Sequence, residues 1–316
     1  MATTLQDGGS SKEHRKETDQ LRLPVRKGPP APHPAPNAPG LESAMNPQPV
    51  YNQLPTPSGG YQLYKPAGKL LNKKALITGG DSGIGRAVAV LYAMEGADSA
   101  IVYLPGEESD AQETKRLVES YGRKCVLLPT DLTVVENCRR VVAQTVEALG
   151  GINILVNNAG TQLAQESIAD ISDEQWDFTF RSNIYSMFYL SKYSLPHLSP
   201  GDTIINNSSI NHYIGKPNLL DYTSTKGAII AFTRSLSNQL CGKGIRVNAV
   251  APGPIWTPLV VSTMTSEDLD AFHSTPMGRA GQPSEVATCF VFLASADSSF
   301  ISGQTLHPNG GSVVNG

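Results

Sequence analysis

Short apolar segments alternate with longer amphipathic ones from residue 73 onward, and this alternation restricts the fold of the 316-residue chain more than any other feature. Short apolar runs bounded by turn residues are typical of buried parallel strands, and the segments between them carry apolar residues at helical spacing. Because parallel strands require crossover connections, the pattern predicts an α/β fold of Rossmann type, a doubly wound parallel sheet in a single domain. The predicted strands lie at 75–77, 100–103, 125–128, 152–156, 203–205, 245–250 and 305–306.

Composition bears on the class of protein and on its partners. A formal net charge of −3 predicts no general attraction to nucleic acid or membranes, and no apolar run is long enough to cross a bilayer. Residues 1–20 have no apolar segment and include several acidic residues, so we expect no targeting signal and a cytoplasmic location. Four widely spaced cysteines predict buried thiols, with neither a metal site nor a disulfide framework: Cys125, Cys138, Cys241 and Cys289.

Prolines are concentrated near the N-terminus, where about half of the 23 lie between residues 24 and 66. The run at 28–40 excludes helix and paired strand and favours an extended chain. We therefore predict a disordered Pro-rich tail at 1–45, an extended arm at 46–69 and a catalytic domain at 70–316. The tail is either a plain extension or a docking motif for a partner domain.

The segment TGGDSGIG at 78–85 joins the first predicted strand of the domain to the first helix. Glycines at 79, 83 and 85 permit a tight turn and close approach of the backbone to a ligand. The helix start supplies N–H groups and a positive dipole end, which suit a pyrophosphate. Two other interpretations remain: a glycine-rich turn without a ligand, and a likeness of GDSG to the nucleophile loop of serine proteases, whose fold is all-β.

Tyr222 and Lys226 begin a segment with helical periodicity and lie four residues apart, on one face of the predicted helix. An ammonium near a phenol favours the phenolate and makes it a usable acid or base near neutral pH. A solvated pair at the surface is the alternative for an isolated Y-x-x-x-K motif.

Taken together, these elements resemble the short-chain dehydrogenase/reductase family from about residue 70 to the end. The TGGDSGIG loop, the segment YLPGEE at 103–108 and the Pro-rich leader are similar to a glucose-dehydrogenase-like subgroup of bacteria and fungi. The matching elements follow the family's order: TGGDSGIG, Asp131, NNAG at 157–160, Asn183, Ser209, Tyr222 with Lys226, and the turn Pro252-Gly253.

The resemblance implies a role for each catalytic residue. Tyr222 would transfer the hydroxyl proton, and Lys226 would lower its pKa and bind the nicotinamide ribose. Ser209 would hold the substrate oxygen, and Asn183 would hold a water that relays protons. The implied cofactor-binding residues are Gly79, Ser82, Gly83, Ile84, Gly85, Asp131, Asn158, Ala159, Gly160, Tyr222, Lys226, Pro252, Gly253, Ile255 and Thr257.

The choice between NAD and NADP depends on the end of the second strand of the domain. An acid there would bind the ribose hydroxyls of NAD and repel a 2′-phosphate. The strand instead ends without one at Tyr103, which favours NADP. Glu107 and Asp81 favour NAD, which stays the alternative, and Arg86 either contacts phosphate or faces solvent.

The predicted function is therefore hydride transfer between NAD(P) and a small carbonyl or alcohol substrate, with reduction by NADPH favoured. A non-redox dehydratase or epimerase on the same fold is one alternative, and a sensor that binds NAD(P) without turnover is another. The family also implies a homotetramer or at least a homodimer. Apolar residues on the two predicted interface helices fit this: Ile184, Met187, Phe188, Leu190, Ala228, Ile229, Phe232, Leu236 and Leu240.

Overall fold

The computed structural model describes residues 40–263 and 275–314, which fold around a seven-stranded parallel sheet. The strands of this sheet are β3 (Lys74–Thr78), β4 (Asp98–Tyr103), β5 (Cys125–Pro129), β6 (Ile154–Asn157), β7 (Thr203–Asn207), β8 (Arg246–Val250) and β9 (Thr305–Leu306). Their order across the sheet is β5-β4-β3-β6-β7-β8-β9, and every neighbouring pair runs parallel. This confirms the predicted Rossmann-type sheet.

Helices cover both faces of the sheet, as a doubly wound fold requires. One apolar layer joins the first, second and last helices to the sheet, and a second layer joins the third, fifth and seventh to the opposite face. Of the helices in the described ranges, none is long and apolar enough to span a membrane. The helices are α1 (Gly83–Met94), α2 (Glu108–Ser120), α3 (Val135–Leu149), α4 (Asp173–Phe180), α5 (Ser186–Ser194), α6 (Asn211–Ile214), α7 (Leu220–Leu240), α8 (Pro258–Thr263) and α9 (Pro283–Ala294).

The order of the strands fixes where a ligand site can form. From β3 the chain winds outward through β4 to β5, and then returns to place β6 on the other side of β3. Such a reversal opens a crevice at the carboxyl ends of the strands. Thr78 ends β3 and Asn157 ends β6, so the loops that follow them meet at this crevice.

The chain before β3 packs against the domain. Residues 42–44 form a 3₁₀ turn, and β1 (Gln53–Pro55) pairs antiparallel with β2 (Tyr61–Leu63) in a hairpin that the sequence did not predict. The predicted tail at 1–45 extends too far, because Glu42 and Met45 are buried. Glu42 is held there by an ion pair with Arg86, a tertiary contact that local composition does not reveal. Residues 1–39 lie outside the described part.

Candidate active site

The glycine-rich loop follows β3 and leads into α1. Gly79 and Gly83 have φ values of 59° and 51°, in the left-handed region that favours glycine. A Cβ on Gly85 would lie 1.8 Å from the Gly79 carbonyl oxygen, so only glycine fits there. Ser82 precedes α1 and makes no side-chain capping bond, and the Gly83 N–H is bonded to Glu42, so the N–H groups after Gly83 are the ones at this helix start that suit an anion.

A cavity of roughly 470 Å³ lies at the predicted crevice. Six of the predicted cofactor-binding residues do not line it: Gly85, Tyr222, Lys226, Pro252, Gly253 and Ile255. Gly85 and Gly253 permit close backbone packing instead, and Ile255 is buried. The predicted cofactor residues that do line it are Gly79, Ser82, Gly83, Ile84, Asp131, Asn158, Ala159, Gly160 and Thr257.

Thr78 and Asn158 lock the two loops of the crevice together. The Thr78 hydroxyl accepts hydrogen bonds from the backbone N–H groups of Asn158 and Ala159, both at 2.9 Å. In return, the Asn158 side-chain amide donates to the carbonyl oxygens of Thr78 and Gly79, both at 3.0 Å. Asn207 at the end of β7 donates to the Asn158 side-chain oxygen at 2.8 Å. The glycine-rich loop is therefore braced before any ligand binds.

Several residues that line or brace the site were not among those predicted. Thr78 opens the TGGDSGIG segment, so its place there was a usable signal. The other missed residues follow strands, where parallel topology directs them to the same edge, but their side chains carry no motif. Besides Thr78, they include Thr130, Leu132, Thr133 and Asn207.

The predicted catalytic residues meet on α7 and the loop after β7. The Tyr222 phenol and the Ser209 hydroxyl share a hydrogen bond. The Lys226 ammonium lies 5.2 Å from the centre of the Tyr222 ring and donates to the Asn207 carbonyl oxygen at 2.8 Å. All three side chains are buried and none of them lines the cavity, but Asn207, which Lys226 contacts, does line it, so the group adjoins the cavity through Asn207.

Asn183 lies in a π-helical turn, Arg181–Tyr185, between α4 and α5. Such turns are frequent at functional sites. Its amide is held by Thr161, which donates to Oδ1 at 2.8 Å and accepts from Nδ2 at 3.0 Å, and Nδ2 also reaches the Thr225 hydroxyl. A Cβ on Gly160 would lie 3.3 Å from Asn183 Oδ1 and 3.6 Å from Lys226 Nζ. Gly160 therefore leaves room for Asn183 and Lys226 to approach each other.

Burial dominates the ionisation of the catalytic pair. Desolvation raises the pKa of Tyr222 to about 12, although the hydrogen bond with Ser209 lowers it in part. Desolvation also lowers the pKa of Lys226 to about 7. The expectation that Lys226 depresses the Tyr222 pKa is therefore wrong for this structure, because burial disfavours both charged forms. At neutral pH Tyr222 stays protonated, the form that a proton donor requires.

Two buried carboxyl groups, Asp81 and Glu107, line the cavity near the end of β4. Burial raises the pKa of Asp81 to about 6, and burial with the nearby Asp81 raises the pKa of Glu107 to about 8. Glu107 Oε1 has no hydrogen-bond partner within the described ranges. The described lining includes no lysine or arginine. Arg86 was expected to contact a phosphate or to face solvent. It does neither of these, because it is buried against Glu42.

Comparison with known proteins agrees with this geometry. A family model described as "Enoyl-(Acyl carrier protein) reductase" matches residues 79–312. "Glucose and ribitol dehydrogenase" of Daucus carota is 51% identical and the match covers 88% of this chain and 95% of that protein. "NADPH-dependent aldehyde reductase 1, chloroplastic" of Arabidopsis thaliana is 49% identical over 88% and 96% of the two chains.

A solved structure has the same architecture. The short-chain dehydrogenase from Burkholderia cenocepacia in complex with NADP superposes with a TM-score of 0.72 and 32% identity. The superposition covers 77% of this chain and 98% of that one. The protein described here therefore belongs to the short-chain dehydrogenase/reductase family of oxidoreductases.

Proposed function

We propose that this chain reduces a small carbonyl compound with NADPH, and catalyses the reverse oxidation of the alcohol. The observation that carries the proposal is the arrangement of the site. The hydrogen-bonded pair Tyr222 and Ser209 has Lys226 beside it, and Lys226 contacts Asn207, which lines the cavity that contains the glycine-rich loop. The proposed proton donor is thus adjacent to the proposed dinucleotide cradle.

The residues present fit a nicotinamide dinucleotide. The glycines of the loop leave a cradle that side chains would fill, and the N–H groups of α1 after Gly83 suit the pyrophosphate. When bound, the nicotinamide supplies the hydride. Lys226 would contact the adjoining ribose.

The chain's own groups handle the proton. The Ser209 hydroxyl donates to the substrate carbonyl oxygen and stabilises its developing negative charge. Protonated Tyr222 then transfers its proton to that oxygen as the carbonyl becomes an alcohol. Asn183 and Lys226 both approach Gly160, which supports a role for them in relaying a replacement proton from solvent to Tyr222.

NADP is the cofactor that we propose, with NAD as the second candidate. The Arabidopsis relative is named for NADPH, and the Burkholderia structure contains NADP. A raised pKa of about 8 leaves Glu107 largely uncharged at neutral pH, which reduces its repulsion of a 2′-phosphate. The absence of a lysine or arginine from the described lining favours NAD as the second candidate.

The direct test is a panel of aldehydes, ketones and sugars with NADPH and NADH, read by cofactor absorbance and by product analysis. One alcohol formed per NADPH oxidised supports the proposal. Product without net cofactor consumption would identify a dehydratase or epimerase, and binding without any turnover would identify a sensor.

We also propose a cytoplasmic homotetramer, or at least a homodimer. Part of the predicted interface is internal, since Met187 and Ile229 pack within the chain. Phe188 on α5 stays 44% exposed, and its ring lies edge-on to Phe232 of α7 with 6.5 Å between the ring centres. An exposed Phe188 beside half-buried Phe232 across two helices supports burial by a second copy.

A further inference from the structure

The N-terminal arm, which in the structure comprises residues 40–69, places a carboxylate against the glycine-rich loop. Glu42 is completely buried. Its Oε2 accepts a hydrogen bond of 2.5 Å from the Gly83 N–H, the first residue of α1. Glu42 does not line the cavity but Gly83 does, so the carboxylate contacts the loop from outside. The arm therefore fixes the loop without occupying the place of a ligand.

The same carboxylate belongs to a buried charge network. Glu42 Oε1 pairs with Arg86 Nη1 at 2.6 Å, and the Glu42 N–H donates to Asp110 Oδ2 at 2.7 Å. Arg86 in turn donates to the backbone carbonyls of Asp81 at 2.8 Å and Asp110 at 3.0 Å. Arg86 is 3% exposed, so the pair is screened from solvent. The ion pair of Glu42 with Arg86, together with the other contacts of these two residues, thus connects the arm, the loop and the start of α2.

We infer that Glu42 is a positioning residue of the cofactor site, which holds the glycine-rich loop in the conformation that receives the pyrophosphate. The inference rests on the dinucleotide-dependent function proposed above. Gly79 and Gly83 give the loop a wide conformational range, and ordering it on binding would reduce affinity. An anchor that orders the loop beforehand reduces that loss.

A second anchor of the same arm serves as the control. Glu95 follows the opposite end of α1, is completely buried, and accepts hydrogen bonds from the N–H groups of Ala67 at 3.0 Å and Lys69 at 2.8 Å. Both contacts hold the arm to the domain, Glu42 from the arm and Glu95 from the domain. Glu95, however, touches no residue of the loop. A variant at Glu95 therefore loosens the arm without releasing Gly83.

The experiment compares Glu42→Ala, Glu42→Gln and Glu95→Ala with the parent in the full chain. NADPH dissociation constants are measured by fluorescence titration, melting temperatures by calorimetry, and KM for NADPH apart from kcat. We expect Glu42→Ala to weaken NADPH binding about tenfold or more, and to raise KM accordingly, with kcat at saturating NADPH within about twofold. Glu42→Gln keeps an acceptor for Gly83 and should show a smaller effect.

Glu95→Ala should lower the melting temperature and leave the dissociation constant within about twofold of the parent. Glu42→Gln provides the test if Glu42→Ala does not fold. Folded Glu42 variants that bind NADPH as tightly as the parent would overturn the inference, as would equal weakening by Glu95→Ala, since the arm would then be only structural. A parent chain that binds neither NADPH nor NADP would instead overturn the proposed function itself.

Discussion

At the scale of single residues, the cofactor cavity gathers ionisable groups whose charged forms are disfavoured by burial. The pKa values of Asp81, Glu107 and Tyr222 are raised, and that of Lys226 is lowered. Shifts of this kind concentrate at functional sites, where they bring groups into a useful protonation state near neutral pH. Asp81, Lys226 and Glu107 thus make the region sensitive to pH between about 6 and about 8, whereas Tyr222 stays protonated there.

We predict that kcat/KM for NADPH falls as pH rises from about 6 to about 9. Asp81 gains negative charge above a pKa of about 6 and Glu107 above about 8, while Lys226 loses positive charge above about 7. All three changes make the cavity less favourable for the cofactor phosphates. Initial rates at varied NADPH concentration across this pH range measure the effect.

Glu107→Gln should flatten the decline near pH 8 and leave the decline near pH 6 in place. Glu108→Gln is the matched control, because Glu108 is an exposed neighbour whose pKa is lowered by hydrogen bonds from Tyr103 and Gln112. It is ionised throughout the range and should not change the profile. A Glu107→Gln profile identical to that of the parent would contradict the assignment.

At the scale of secondary-structure elements, the sheet was predictable and the arm was not. The strands of the sheet contain short apolar runs, because strands buried on both faces are mostly apolar, although β7 and β8 also bury Asn206 and Asn248. The β1–β2 hairpin is short and carries exposed residues such as Tyr61 and Leu63, so it has no such signature. Glu42 lies beside a proline run, and its burial depends on Arg86, 44 positions later. Composition alone therefore predicts disorder there.

Two N-terminal deletions separate the tail from the arm. We predict that removal of residues 1–39 leaves the melting temperature and activity unchanged. Removal of 1–45 also deletes Glu42 and Met45, and should lower the melting temperature by several degrees. The reason is that Arg86 loses its shorter buried ion pair and keeps only Asp110, at 3.5 Å; breaking a buried pair costs up to about 3–5 kcal/mol.

Thermal unfolding of the two deletions and the parent provides the measurement. Equal melting temperatures for the two deletions would show that residues 40–45 contribute little to stability. A large loss with the shorter deletion would show instead that residues 1–39 support the fold.

The proposed catalytic residues lie together, but their electrostatics were not predictable. Ser209, Tyr222 and Lys226 are neighbours because their spacing places them on one helix and after the neighbouring strand, and their catalytic roles stay a prediction. The direction of the Tyr222 shift was missed, since burial depends on the whole fold. The shift in Glu107 depends in the same way on tertiary contact with Asp81.

At the scale of the whole molecule, the site depends on helices that also present an exposed aromatic surface. Asn183 precedes α5, and Tyr222 and Lys226 lie on α7. Phe188 and Phe232 lie on the outer faces of these same two helices. Association through this surface would stiffen the helices that carry the catalytic residues.

Phe188→Glu should therefore yield a smaller assembly than the parent, with reduced activity, because a charge would be buried at the interface. Multi-angle light scattering at micromolar concentration measures the mass. Phe300→Glu is a useful control, since Phe300 is fully exposed and lies on neither α5 nor α7. A parent that is monomeric would refute the proposed assembly and leave the catalytic proposal intact.

The most direct test of the proposed function is the stoichiometry of NADPH and alcohol in the parent and in Tyr222→Phe. In the parent we predict one alcohol formed per NADPH oxidised. The variant keeps the shape of the side chain but removes the proton donor. In the variant we predict a loss of about 10²–10⁴-fold in kcat with NADPH binding nearly unchanged. A parent that forms product without oxidising NADPH, or a variant that retains half of the parent's rate, would contradict the account.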